Sequence, residues 1–395
     1  MSIVDLKTLT YKETQPQNWS VDGLVFGQIN LLVGKNATGK TRILHLIAGL
    51  ARQTQADKLL VANSDYDAVF SVDGKELRYK WKAEYRKVLE EGVWFHGEKM
   101  LSRDDKTLTL RYEHEGKEIT HEPSEDEMSA SARKDKLQHP FLLPLTEWGQ
   151  SVRHYLFGSQ LGKDHWGIIF NQPQELDDRD QNRVIGIFRK AKKEFGDAYI
   201  QSLLADMNEL GYPLTEVDAT QPGHIEAGVP LAPDGRALGQ LALIGVREEG
   251  VDEMYFQDTI SQGMFRALSI LIQVTYSQMA QRAHCILIDD IGEGLDFDRS
   301  SRLIEMLRRK AQQSKIQLIM STNDQFVMNK VPLDEWSLLQ RRGNHISVRN
   351  IHNSRKVFED FRFVGMSNFS FFEVDFANEE PGDRQLILEG AADNA

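Results

Sequence analysis

The stretch Gly34-Lys35-Asn36-Ala37-Thr38-Gly39-Lys40-Thr41 constrains this chain more than any other, because it is a G-x-x-x-x-G-K-[ST] pattern in matching surroundings. Before it, Gln28-Ile29-Asn30-Leu31-Leu32-Val33 reads as a short buried strand. After it, Ile43, Leu46, Ile47 and Leu50 fall on one face of a helix that runs to about Arg52. Strand, glycine loop and helix in that order is the context in which the pattern cradles phosphate. Gly34 and Gly39 let the backbone turn tightly and present N–H groups at a positive helix terminus. In such a loop Lys40 is placed to reach the β- and γ-phosphates, and the Thr41 hydroxyl is placed to ligate Mg²⁺.

A chain of 395 residues can bury a large core, and its length suggests two or three domains. Apolar residues at 41% and charged residues at 27% are those of an ordinary globular protein. No run approaches the roughly 18 apolar residues of a membrane span. The start, Met1-Ser2-Ile3-Val4-Asp5-Leu6, lacks the basic and long apolar regions of a signal peptide. The single cysteine, Cys285, lies in an apolar run and reads as a small core residue. With no disulfide framework a reducing, cytoplasmic location is expected. The net charge of −12 excludes nonspecific coating of nucleic acid, so any such contact needs a local basic patch or a partner.

Residues 3–9 and 24–26 read as strands leading into the loop, separated by a polar turn at 14–18. From about 68 to 120 the pattern is alternating strands and turns, an antiparallel sheet, with Asp73-Gly74 as a hairpin signal. Residues 121–138 are charged and read as a surface loop. Between 182 and 211, Ile187, Ala191, Phe195, Tyr199, Leu203 and Met207 have near-helical spacing, which predicts one or two amphipathic helices too short for a coiled-coil arm. Residues 221–236 are rich in Gly and Pro and read as loop. Phe358, Phe361, Phe363, Phe369, Phe371, Phe372 and Phe376 make a dense aromatic run, expected mostly as core strands with any exposed subset marking an interface.

Cys285-Ile286-Leu287-Ile288-Asp289-Asp290 is an apolar strand ending in two carboxylates, the arrangement that Mg²⁺ coordination and water activation need at a sheet edge. Upstream, Ser261 reads as a helix cap and Gly263 as a close-approach residue, before the helix that continues through Arg266. Downstream, Leu318-Ile319-Met320 is a second buried strand, closed by Ser321-Thr322-Asn323-Asp324.

The order of these pieces, with Gly294-Leu295-Asp296 after the two acids, resembles an ABC-type ATPase head. More narrowly it is similar to the single-chain ATPases of the SMC/RecF/OLD group, many of which are encoded beside an effector gene in bacterial phage-defence pairs. The resemblance is specific over residues 1–50 and 255–330, while the middle matches only by position. It implies an α/β fold, a P-loop NTPase head of ABC type with an antiparallel β subdomain and a helical insertion. The expected domains are an N-terminal lobe (1–67), the insertion (68–255), a C-terminal lobe (256–377) and an acidic tail (378–395).

Carried over by position, Gly34, Lys35, Asn36, Ala37, Thr38, Gly39, Lys40, Thr41 and Arg42 would line ATP as Walker A. Ser261, Gln262 and Gly263 would be the signature that touches the γ-phosphate held by another copy. Thr41 and Asp289 would hold Mg²⁺, Asp290 would take the catalytic-acid position, and Asp296 the D-loop position. Lys40 and Asn323 would complete the catalytic set, Asn323 with Thr322 at the switch-strand end. Two positions depart from the family: Asp290 replaces the usual Glu, and Asn323 replaces the usual His, which points to slow turnover. For the glutamine loop, Gln150, Gln160 and Gln172 are candidates with no pattern to select among them.

The resemblance further implies a head-to-tail homodimer or higher homo-oligomer closed on two ATP molecules, controlling a separate effector such as a nuclease in antiphage defence. The alternative is a RecF-like repair ATPase that binds DNA itself. Arg341, Arg342, Arg349, Arg355 and Lys356 form a local basic cluster, which is either a solvated face or a contact for DNA or an acidic partner.

Overall fold

The structure is a computed structural model and describes residues 3–103, 110–114, 117–133, 137, 139–170, 176–222, 239–281, 285–362 and 366–376. The expected acidic tail and Gln172 lie outside these residues.

In chain order the first strands are β1 (Val4–Lys12), β2 (Ser20–Val25) and β3 (Ile29–Val33), followed by helix α1 (Lys40–Gln53). Strands β4 (Ser64–Val72), β5 (Lys75–Glu84), β6 (Lys87–Phe95), β7 (Glu98–Arg103), β8 (Leu110–His114) and β9 (Lys117–His121) follow. Next come α2 (Ser129–Ala132), α3 (Leu143–Ser151), β10 (Val152–Leu156) and β11 (Gly167–Phe170). Helices α4 (Val184–Phe195) and α5 (Asp197–Glu209) precede β12 (Leu214–Thr220), β13 (Gly239–Glu248) and β14 (Tyr255–Phe256). The chain continues through α6 (Gln262–Ala280), β15 (Cys285–Asp289), α7 (Phe297–Ser314) and β16 (Gln317–Ser321). It ends with α8 (Gln325–Lys330), β17 (Trp336–Arg342), β18 (His345–Asn350), α9 (Arg355–Arg362) and α10 (Asn368–Glu373).

Two compact units result: Met1–Arg153 with Ala283–Leu287 and Lys315–Ala395, and His154–Arg282 with Ile288–Ser314. The first is built on one long sheet in which β3 lies between β16 and β17. Both neighbours run parallel to β3, with Ser321 opposite Leu32 and Leu338 opposite Val33. All five residues of β3 are buried, as a strand covered on both faces requires. Two buried amides, one in β3 and one beside it, are satisfied. The Gln317 amide accepts from Leu6 N–H and donates to the Leu6 and Gly27 carbonyls, and Asn30 donates to the Gly27 and Leu318 carbonyls.

Beyond β17 the order continues β18-β2-β1-β4-β5-β6-β7-β8-β9. From β4 onward the pairing is an antiparallel meander. Asp73 and Gly74, both at positive φ, form the β4–β5 turn, and β4 through β9 extend the sheet that begins with β1.

Two expectations need correction. Residues 121–138 are not simply a surface loop, because Met128, Ser129, Ala130 and Ser131 are buried at α2. The cause is Glu91, whose carboxylate accepts the N–H groups of Ser129 (2.9 Å) and Ala130 (3.0 Å) and the Tyr79 hydroxyl (3.1 Å). Phe358, Phe361, Phe369, Phe371 and Phe372 lie in helices rather than core strands, Phe376 follows α10, and Phe363 lies outside the described residues. Phe358 and Phe361 of α9 pack on Phe371 of α10 with ring centroids 4.9 Å apart in both cases, and Phe376 packs against Phe361. The i, i+3 spacing of Phe358 and Phe361 suits a helix face, and ring size alone carries no period.

In the second unit α4 and α5 break at Gly196, and Tyr199, Leu203 and Met207 are buried with Ile187, Phe188 and Ala191. Strands β11, β13 and β12 form a small antiparallel sheet, with β14 also paired to β13. A buried ion pair, Lys310 Nζ to Asp206 Oδ2 at 2.7 Å, joins α7 to α5, and Thr275 of α6 bonds to both.

Candidate functional site

The loop of residues 34–41 leaves the C-terminal end of β3 and enters α1, so it sits where a parallel strand delivers the chain to a helix N-terminus. Gly39 has φ +104, and a Cβ there would lie 2.5 Å from Ile346 Cδ1, so both conformation and space demand glycine. At Gly34 a Cβ would lie 2.6 Å from Thr38 Oγ1. The loop is closed on itself by Thr38, whose hydroxyl donates to the Lys35 carbonyl at 2.8 Å. It is also held from β17, where Arg341 Nη1 donates to the Ala37 carbonyl at 2.9 Å. Ala37 has φ +62, so a non-glycine residue is kept in the left-handed region at the loop's tip.

Lys40 is buried, and its ammonium donates to the Gly34 carbonyl at 2.7 Å and to Asn323 Oδ1 at 2.6 Å. Asn323 follows β16, the parallel neighbour of β3, so two strand ends bring these side chains together. Thr322 is buried and its hydroxyl accepts from Asp324 N–H, while Asp324 caps α8 through Phe326 N–H. Lys35, Asn36 and Thr41 are exposed. Arg42 points elsewhere: its guanidinium lies 4.1 Å over the Trp19 ring and bonds to Glu13 and Gln17. The basic cluster is distributed over β17, β18 and α9, with Arg355 paired to Glu359.

In the second unit, Asp289 ends β15 and is buried, with its carbonyl accepting from Phe157 N–H. Asp290 follows at φ +53 and opens a turn closed by Glu293 N–H to the Asp290 carbonyl at 3.2 Å. Ser261 caps α6, its hydroxyl accepting from Met264 N–H at 3.3 Å. A Cβ on Gly263 would lie 2.8 Å from the Gly294 carbonyl, so Gly263 packs directly against the backbone of Gly294. Asp296 is a helix cap for α7 and an ion-pair partner of Arg299. The Arg299 N–H first, and its guanidinium next, hold the Asp296 carboxyl below the usual range. Of the candidate glutamines, Gln160 bonds to Gln262 at 3.2 Å, and Gln150 is exposed on α3.

Two residues here were not singled out in the sequence. Arg266 is buried and donates to the carbonyls of Gly158, Ser159 and Glu293, tying the start of α6 to the turn after β15. A cation in an otherwise apolar helix run was its only signal. Glu293 brings its carboxylate against Gly158, where a Cβ would meet Oε2 at 2.6 Å, three residues beyond Asp290.

A glycine-lined turn at a helix N-terminus with a buried ammonium at its base is an anion-binding concavity. In the second unit, Asp289 and Asp290 are adjacent carboxylates at the end of β15, a hard-oxygen type of donor. Among the described residues no helix is long and apolar enough to cross a membrane.

No family model matches the sequence, and no curated protein matches it. Among solved structures the chain is similar to an Smc head bound to the C-winged helix domain of ScpA, at 14% identity and TM-score 0.51, covering 89% of this chain and 99% of that one. It is also similar to an Smc head with an extended coiled coil bound to the C-terminal domain of ScpA, derived from Pyrococcus furiosus, at 13% identity and TM-score 0.50. That likeness covers 91% of this chain and 100% of the other. The mixed α/β fold with its large sheet is therefore similar to the fold of these Smc heads.

Proposed function

We propose that the chain binds ATP with Mg²⁺ and hydrolyses it slowly, as a nucleotide-gated dimeric head that controls a separate effector. The observation that carries this reading is the loop of residues 34–41 with the Lys40 ammonium at its base. Backbone N–H groups and Lys40 would hold the phosphates, and Thr41 and Asp289 would hold the metal. Bound Mg²⁺ would neutralise phosphate charge. Ser261, Gln262 and Gly263 would cover nucleotide on a second copy. Asp290 and Asn323 would orient water less effectively than the Glu and His of faster heads. The solved Smc heads are similar in fold and have ScpA as a bound partner, which supports a role in assembly with another protein. The antiphage context rests on the family resemblance of the motifs.

Titration of Mg-ATP with phosphate release over many turnovers tests the first step, with Lys40→Ala as the expected loss of binding. Sedimentation with ATP tests dimer closure; identical association of wild type and Lys40→Ala would overturn it. Capture of partners from the native cell with ATP and with ADP tests effector control.

A further inference from the structure

The second unit carries a cleft of about 1550 Å³ whose lining includes the segment leading into β11 and the exposed face of α4. Trp166, just before β11, and Ile168 within it lie on this lining and are 50% and 38% exposed, an apolar pair two positions apart. Among the described residues β11 pairs only with β13 and stands at the end of the strand order of its sheet.

The cations of α4 and its N-cap divide into two groups. Arg183 pairs with Asp180, Lys192 pairs with Asp218, and Lys190 sits over the Tyr276 ring. Arg189 and Lys193 also line the cleft, are exposed, and have no partner among the described residues. They are four positions apart on one helix, hence about 6 Å apart along its axis. Alternate residues of an extended strand are spaced by about 6.7 Å, so carboxylates at every second position match these two cations.

We propose that this cleft takes an extended acidic segment of a partner protein, added as a strand to β11, with alternate carboxylates on Arg189 and Lys193 and the intervening apolar side chains against Trp166 and Ile168. Nucleic acid is the weaker fit. Two uncommitted cations beside Asp180, Glu194 and Asp218 release few counterions, in a chain of net charge −12. The inference uses no nucleotide chemistry and stands apart from the ATPase reading.

The test is fluorescence anisotropy of the full chain with a labelled, alternating Glu-Val octapeptide. Saturable binding is expected, weakened about tenfold or more by the double change Arg189→Glu and Lys193→Glu. The same peptide N-methylated at alternate residues, which cannot pair with a strand edge, is expected not to bind. Unchanged circular dichroism shows that the variant is folded. Absence of saturable binding, equal binding by the reversed variant, undiminished binding of the N-methylated peptide, or a preference for oligo-dT would each overturn the proposal.

Discussion

Lys40 Nζ lies 2.6 Å from Asn323 Oδ1, joining the phosphate-loop lysine to the residue two positions beyond β16. The contact follows from topology: β3 and β16 are parallel neighbours with Ser321 opposite Leu32, so both chains leave the sheet at the same end. An incoming anion therefore competes with an amide oxygen for the lysine. A hydrogen bond to a charged group is worth about 1.5–3 kcal/mol net, enough to alter how tightly an anion is held there.

Asn323→Ala removes that competitor. On the ATPase reading, calorimetric titration should show Mg-ATP bound several-fold more tightly, while phosphate release slows about tenfold or more because the amide no longer orients water. Weaker binding by the variant would mean that Asn323 holds the loop open rather than restraining Lys40.

Gly39→Ala forces a side chain into φ +104 and against Ile346. The expected loss is about 2 kcal/mol or more, read as a fall in the urea midpoint. Gly74→Ala is the control: φ is +83 but nothing lies within 4 Å, so about 1 kcal/mol is expected.

Lys310→Met strands the Asp206 carboxylate in the second unit. Burial already raises the Asp206 pKa, and Lys310 is the charge that opposes the rise. Chemical denaturation should show about 3–5 kcal/mol of destabilisation, most of it recovered when Asp206→Leu is added, since replacing both partners removes the uncompensated charge.

Glu91 should make stability fall with rising pH. Burial raises its pKa above the ordinary 4.5, against the lowering effect of the Ala130 and Ser129 N–H groups and the Tyr79 hydroxyl. A folded-state pKa above the unfolded one gives stability that is complete below the unfolded value and lost as pH climbs through the folded value. The difference in urea midpoint between wild type and Glu91→Gln should therefore move against wild type as pH rises above the ordinary carboxylate value of 4.5. A difference that stays flat would place the Glu91 pKa at its ordinary value.

Local pattern was sufficient for much of the first unit. A short apolar run, a fixed glycine spacing and a helical apolar face marked β3, the loop and α1, because each rule acts within a few residues. Asp73-Gly74 marked its hairpin for the same reason, and Ser261 its helix cap. Charge misled at residues 121–138, since nothing local says that Glu91, some forty positions earlier, will bury its carboxylate on the N–H groups of Ser129 and Ala130. Aromatic density misled at the C-terminus, because bulk without period does not choose between strand and helix.

By itself, then, the sequence determined that a tight glycine turn into a helix N-terminus forms at residues 34–41, since glycine conformation and helix polarity are properties of the chain there. Only the tertiary structure decided what meets it. Asn323 reaches Lys40, and Arg341 grips Ala37, because β16 and β17 happen to be the parallel neighbours of β3. Those side chains are about 280 and 300 positions distant, a separation over which no periodicity carries information and only strand order does.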